Sequence, residues 1–327
     1  MNMIVNNGDI MKDFQDGTVV LENGMITNSE KIFNANTALH EAYKNYSQEL
    51  VTIAKKELVG IGDLISRGLT EQLPHVGITL SYYEKMSDTT PAEVNMDGQA
   101  KGKDDKETFD EVGTPVPVFY KDHGMNFRHK ATLESGNSNI TSTSNAQATY
   151  AVTSLMENAL VNGNSKIVVS GQAIPGYTTF ADRETLTLPK YWTVATGEEI
   201  YLDVLAMVQK LKDNNFYGDY VLYIPTTYST VMDKKYSTAY DARTIRQELL
   251  SINGLSDIRE LKSLATNNVI LIQMDKRVVD VVIAQPLSTI VLKTSPLGDS
   301  FRNWAIMIHR LKSDMAGQCG ICHGSKA

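Results

Sequence analysis

Pro115-Val116-Pro117-Val118-Phe119-Tyr120-Lys121-Asp122-His123-Gly124-Met125-Asn126-Phe127-Arg128 is the stretch on which the reading of this chain turns. It has strand character around 116–120 and 125–128, rich in the residues that suit a pleated, half-buried surface. Just before it, residues 84–111 are polar. They hold nine acids (Glu84, Asp88, Glu93, Asp97, Asp104, Asp105, Glu107, Asp110, Glu111) against four lysines (Lys85, Lys101, Lys103, Lys106). Such a segment cannot cover a core of its own. Residues 76–83 (Val-Gly-Ile-Thr-Leu-Ser-Tyr-Tyr) read as a strand before it. Two strands joined by a charged middle make a long hairpin that projects into solvent or onto a neighbour.

Toward the N-terminus, Leu39, Tyr43, Tyr46, Leu50, Ala54, Leu58, Ile61 and Ile65 recur at steps of four and three. That spacing is one face of an amphipathic helix. Asn36 or Thr37 would cap its start and Gly68 its end; Gly60 and Gly62 predict a bend or two helices. Residues 1 to about 35 are rich in Asn, Gly and Asp, with Gly8, Gly17 and Gly24 breaking every candidate element. This predicts an extended arm with little core.

Toward the C-terminus, residues 135–145 form a Ser/Thr/Asn-rich loop. Ala148, Val152, Leu155 and Ala159 then predict a helix, stopped at Asn162-Gly163. Thr196-Gly197-Glu198-Glu199 is a capping box before the stripe Tyr201, Val204, Leu205, Val208, Leu211. Residues 219–224 read as a buried strand cut by Pro225, and Arg243 to Leu250 as a short helix. Four β-rich runs follow at 268–274, 278–284, 287–293 and 301–309. The order is mixed α and β, with no regular βαβ alternation and no internal repeat.

Composition narrows the class. The chain has 327 residues, 42% apolar and 21% charged, with a formal net charge of -7. These are values of a globular protein of about two lobes, long enough to bury a core without disulfides. No run approaches the ~18 apolar residues of a membrane span. The acidic balance argues against a protein built mainly to grip nucleic acid. Met1 to Asp9 has neither the basic start nor the apolar stretch of a signal peptide. With Cys319 and Cys322 as the only cysteines, folding in a reducing cytoplasm is expected.

Catalytic signatures are sparse. Gly60-x-Gly62 sits in a helical pattern and follows no strand, so it does not read as a dinucleotide turn. Gly163-Asn164-Ser165-Lys166 lacks P-loop spacing, and Gly163 reads as a helix C-cap. His123 and His129 would share a face of one strand, but too few ligands surround them for zinc. Cys319-Gly320-Ile321-Cys322-His323 matches the c-type haem attachment pattern. It lies within the last nine residues, between Gly317 and Gly324, with no helix to lower a thiol pKa. The expectation is a solvent-exposed or interface tail whose cysteines are dispensable. No catalytic, cofactor-binding or metal residue is assigned. An arm and a charged hairpin without an active site suit a protein that contacts copies of itself.

The order of elements resembles the encapsulin-like branch of phage major capsid proteins. The likeness rests on the arm, the first helix and the loop ending in 115–128. It continues through the helix at 146–162, Val169-Ser170-Gly171, Pro175-Gly176-Tyr177, the strand from Tyr217 to Pro225, and the run from Val279 to Ser288. The resemblance implies the α+β Hong-Kong-97-type capsid fold. Its parts would be an N-terminal arm at 1–38, a helical segment at 39–75 and an extended loop at 76–118. A peripheral lobe would take 119–194 with 286–327, and an apical lobe 195–285. It implies pentamers and hexamers closing into an icosahedral phage head around double-stranded DNA, in a virion assembled in the host cytoplasm. Partners would be copies of the chain, with decoration, portal and scaffolding proteins, weak non-specific DNA contact, and no membrane. An encapsulin-type shell around protein cargo is the alternative, and the arm of ~35 residues favours the virus. The loop Lys and Asn that some members cross-link find no match here. The hairpin is expected to clamp a neighbour, its acids meeting basic groups among which Lys121, Arg128, Lys130 and Arg243 are candidates. Val76, Ile78, Leu80 and Tyr82 would form one apolar flank, and Val116, Val118 and Tyr120 the other.

Overall fold

The computed structural model describes residues 18–20, 26–28, 58–86, 94, 96, 108–128, 140–237, 243–295 and 298–326. Most of the expected arm, the helical face before residue 58, most of the charged middle of the hairpin, His129 and Lys130 lie outside the described residues. In chain order the elements are β1 (Thr18–Val20), β2 (Ile26–Asn28), α1 (Gly60–Ser66), β3 (Thr70–Gln72), β4 (Leu80–Met86), β5 (Phe109–Pro115) and β6 (Val118–Asn126). Then come α2 (Ile140–Asn162), β7 (Asn164–Val169), β8 (Gln172–Ile174), β9 (Glu184–Thr187), α3 (Gly197–Asp213), β10 (Tyr220–Pro225), α4 (Thr226–Met232) and α5 (Ile245–Leu249). The last are β11 (Leu255–Leu261), β12 (Asn268–Gln273), β13 (Val279–Ser295), β14 (Gly298–Leu311) and β15 (Ile321–Ser325).

The chain divides into two compact units. The larger takes residues 54–121, 150–288 and 304–327. Its centre is a mixed five-stranded sheet in the order β11-β10-β12-β15-β9. Side chains alternate across it. Tyr220, Leu222, Ile224, Val269, Leu271 and Cys322 pack with Ile200, Val204 and Met207 of α3 and with α4 and α5. Val221, Tyr223, Ile270, Ile272 and Ile321 pack with Ile61 and Leu64 of α1, Met156 and Leu160 of α2, and Ile306 and Ile308 of β14. Two buried faces explain why Tyr220 to Ile224 reads as an unbroken apolar run. In this sheet β15 pairs antiparallel with β12 and parallel with β9.

Local chemistry sets the helices. Thr196 and Glu199 close the expected capping box on α3: Glu199 N–H donates to Thr196 Oγ1 at 3.3 Å, and Thr196 N–H to Glu199 Oε2 at 2.9 Å. Helix α2 starts at Ile140 rather than 146, and Leu155, expected in its apolar stripe, is exposed while Met156 is buried. Its end is the expected C-cap: Gly163 has φ +68°, donates to Ala159 O at 2.9 Å, and a Cβ there would stand 2.5 Å from Ile174 O. The runs 278–284 and 287–293 are one strand, β13, that continues through Pro286.

The smaller unit takes 1–53, 122–149 and 289–303. Asn303 Nδ2 donates to Asn145 Oδ1 at 2.8 Å and Thr149 Oγ1 at 2.9 Å, and Thr289 Oγ1 donates to Asn303 Oδ1 at 2.7 Å. Arg302 grips Asp122 with Nε and Nη2, at 2.6 and 2.8 Å. Strand β13 lies between β3 and β14 in the order β3-β13-β14-β6, and β3 reaches only Val281, Val282 and Ile283.

Candidate assembly surface

The hairpin is formed by β4 and β5, antiparallel, with register running from Leu80↔Pro115 to Met86↔Phe109. Its strands therefore extend into the stretch that composition marks as polar. One face carries Ser81, Tyr83 and Thr114 and is buried. The other carries Tyr82 and Phe109, 54% and 59% exposed, beside Glu84 opposite Glu111. The expected apolar flanks are only partly right: of these residues Leu80 and Tyr82 alone lie in the hairpin strands, while Val118 and Tyr120 belong to β6 of the four-stranded sheet. Val76, Tyr82, Val118 and Tyr120 are exposed, Ile78 and Leu80 half-buried, and Val116 buried. Alternation in a strand fixes which residues share a face, and the packing chose the face of Ser81 and Tyr83.

Arg310 holds the hairpin base. Its guanidinium is 2% exposed and uses all five donors. Nε and Nη2 grip Asp280 at 2.8 and 2.5 Å, Nη2 also meets Glu71, and Nη1 donates to Ser81 Oγ and Tyr82 O, both at 3.0 Å. Lys312 Nζ joins Asp280 at 2.7 Å. Farther out, Lys85 Nζ meets Asp182 Oδ2 at 3.1 Å, and Ser313 donates to the same carboxylate. Burial alone would raise the Asp182 pKa; hydrogen bonds from Ser313 and Lys85 outweigh it and hold the carboxyl below its usual range. Clefts of about 720 and 770 Å³ adjoin the base, and both are lined by Tyr83 and Lys85. Sequence reading missed Arg310, because its partners stand 30 to 239 residues away in the chain.

The Cys319–Cys322 tail is a correction. Both cysteines are fully buried, and residues 321–325 form β15 between β12 and β9. Cys319 lies in one core and Cys322 in the other, so the pair does not converge on one ligand. Burial pushes both thiols up to about 12, which disfavours the thiolate that redox or metal chemistry needs. The glycines of this stretch are packing sites: a Cβ at Gly320 would stand 2.6 Å from Val278 Cγ2, and one at Gly324 2.7 Å from Val269 Cγ2. His323 bridges Asn268 Oδ1 at 3.0 Å and Arg183 Nε at 3.3 Å, and burial followed by the Arg183 charge pushes it down to about 4.

Gly60 opens α1 and donates its N–H to the buried Glu157 Oε1 at 2.7 Å, so a carboxylate of the chain itself fills the place a phosphate would need. A Cβ at Gly60 would stand 2.6 Å from Leu160 Cδ2, which accounts for the glycine by close helix contact. His123 stacks on Phe301 at 5.5 Å, and burial lowers its pKa. Among the described residues no group of three or more His, Cys, Asp and Glu is placed to hold a metal, and no helix is long and apolar enough to cross a membrane.

The fold is shared with solved capsid structures. A virus-like particle from Pyrococcus furiosus aligns with a TM-score of 0.65 at 15% identity, over 87% of this chain and 100% of that one. The capsid of Myoviridae phage XM1 aligns at 0.63 and 11%, over 82% and 92%. A chain of Mycobacterium phage Adephagia aligns at 0.60 and 10%, over 81% and 89%. At such identities the likeness is one of fold, and the chain has the α+β Hong-Kong-97-type capsid fold that the element order implied. No curated protein matches the sequence. Residues 34–324 match the family described as "Family of unknown function (DUF6260)", and the chain belongs to that family.

Proposed function

We propose that this chain is the major capsid protein of a bacteriophage, assembling into hexamers and pentamers of an icosahedral head around double-stranded DNA. The observation that carries the reading is the capsid fold aligned over 81–87% of the chain, with an exposed aromatic hairpin on that fold. Its role is structural and its partners are copies of itself, with decoration, portal and scaffolding proteins as further contacts. The arm at 1–38, the loop at 76–118 and the two lobes take the parts the fold family gives them, and the virion is the place of work. The likeness to the Pyrococcus particle supports a second reading, an encapsulin-type shell around protein cargo. Electron microscopy and nuclease-protection assays on particles from the native host separate the two. Closed shells with DNA support the first, shells with protein alone the second, and a chain that never forms shells overturns both.

A further inference from the structure

We propose that His323 and Arg183 form an acid-released latch that fastens strand β9 to the central sheet. Among the described residues β9 is the last strand in the sheet order, and β15 is the strand that holds it. The two run parallel, with Thr185 in register with His323. Arg183, one residue before β9, reaches the His323 ring across that pairing.

The hydrogen bonds fix the charge of the ring. Arg183 Nε carries a hydrogen and has no lone pair to offer, so His323 Nδ1 is the acceptor at 3.3 Å. The ring proton therefore sits on Nε2, which donates to Asn268 Oδ1 at 3.0 Å. Asn268 Nδ2 is turned to Ala265 O at 3.4 Å, which keeps its oxygen toward the ring. A neutral imidazole satisfies both partners. A proton added at Nδ1 replaces the acceptor with a second donor and sets two cations against each other. Arg183 turns aside only by giving up the bond of its Nη1 to Phe180 O at 2.6 Å.

Arg183 is the charged group that acts on the ring. From β12 the ring meets Asn268 and stands in register with Ile270, and from β9 with Thr185, all uncharged. Glu184 and Lys210 act on Cys322, whose side chain lies in the opposite core. Asp182 is engaged by Lys85 and Ser313. Burial and then the Arg183 charge push the folded ring down from 6.5 to about 4. A histidine depressed in this way adds stability that is complete above about 6.5 and is lost as pH falls toward 4. Between pH 7 and pH 5 the open seam should gain about twentyfold in population. Lys210 Nζ on Thr185 O at 2.6 Å and Asn214 Nδ2 on Glu184 Oε1 at 2.8 Å still tie β9 to α3. What acid releases is the seam between β9 and β15, with the cores left in place.

Two measurements on the full chain test the latch. Hydrogen exchange at the imidazole C2 position, read by mass spectrometry, titrates His323 in the wild type. A midpoint below pH 5 is expected, and one near 6.5 overturns the proposal. Backbone exchange then compares wild type with His323→Gln, whose amide can accept from Arg183 and donate to Asn268 without titrating. Corrected for intrinsic rates, opening at β9 and β15 should rise about twentyfold from pH 7 to pH 5 in wild type and stay nearly flat in the variant. His309, pushed to about 4 by burial, is present in both chains, so their difference reads His323. Equal rises in the two chains, or no rise in wild type, overturn the latch. If His323→Gln does not fold, Arg183→Gln removes the cation and keeps an amide donor. The C2 midpoint should then move up, and an unmoved midpoint overturns the proposal. These readings lie within one subunit, so failure of the capsid reading is a separate result.

Discussion

Strands β10, β12 and β15 bury side chains on both faces, between two apolar cores. Strands β4 and β5 bury one face only, and the identified ties of their base to the body are largely polar: Arg310 to Ser81 and Tyr82, and Lys85 to Asp182. Apolar burial is non-directional, and a sheet held by it yields only by unfolding. Polar ties are few, directional and local, so each can be cut while the sheet persists. The chain thus carries a fixed body and a hairpin held by removable points.

The most severe break should come at the inner tie. Arg310→Ala leaves Asp280, 2% exposed, with Lys312 alone and strands Ser81 Oγ and Tyr82 O. Removing one partner of a buried pair costs about 3–5 kcal/mol. Denaturant unfolding should show a loss of that order, with hydrogen exchange accelerated first at β4. A loss below about 1 kcal/mol would show that the guanidinium does not hold the hairpin.

On the body side, Cys322→Ser and Cys319→Ser each put a hydroxyl in an apolar core. Cys322→Ser should lose about 1–3 kcal/mol, because an unpaired buried hydroxyl is penalised, and Cys319→Ser less, because Cys319 Sγ already meets Ile321 O at 3.7 Å. Cys322→Val tests the reading, since it keeps an apolar group at that place and should cost less than Ser. Both native thiols should also resist a thiol reagent until the chain unfolds. Equal stability of the serine variants would return these residues to the exposed tail that their glycines suggest.

The contrast between the two regions also sorts what the sequence made legible. The order of elements, the α3 capping box, the Gly163 cap and the 219–224 strand were readable because each depends on neighbours in the chain. β15 was not, because Gly320 and Gly324 look like tail residues until Val278 and Val269 are seen against them. The buried face of the hairpin was not, because alternation alone does not say which set of side chains turns inward. Arg310 was not, because an ion-pair network across hundreds of residues leaves no local pattern.

A smaller effect is expected at the outer tie. Lys85 and Asp182 are 15% and 30% exposed, and a pair so accessible contributes about 0–1 kcal/mol. Lys85→Ala should barely move global unfolding yet should raise proteolysis within the hairpin. The pH dependence has a definite sign. The Asp182 pKa is held below its ordinary 3.8 in the folded chain, so its stabilisation is present above that value and fades as pH falls through the folded pKa. The difference between wild type and Lys85→Ala should therefore be constant from pH 7 to 5 and shrink below pH 4. A difference that grows on acidification would place the tie elsewhere.

The smallest effect on stability should come with complete loss of assembly. Met86 and Phe109 are directly paired, so the strands can be rejoined there by a two-residue Asn-Gly turn in place of 87–108. Both ties, at Ser81–Tyr82 and at Lys85, lie on the retained side of the cut, and the body keeps both cores. The variant should unfold within about 0.5 kcal/mol of wild type, as changes away from packing do. What it loses is a polar segment with six acids against three lysines, a composition that cannot cover a core of its own. If the hairpin is the clamp, sedimentation should find folded subunits and no closed shells, even at concentrations where wild type assembles. Small pairwise contacts repeated in every copy decide whether a shell closes, so removing them all acts on assembly far more than on the fold. Normal shells from the shortened chain would move the clamp to other surfaces, and a chain that unfolds outright would erase the distinction between body and hairpin.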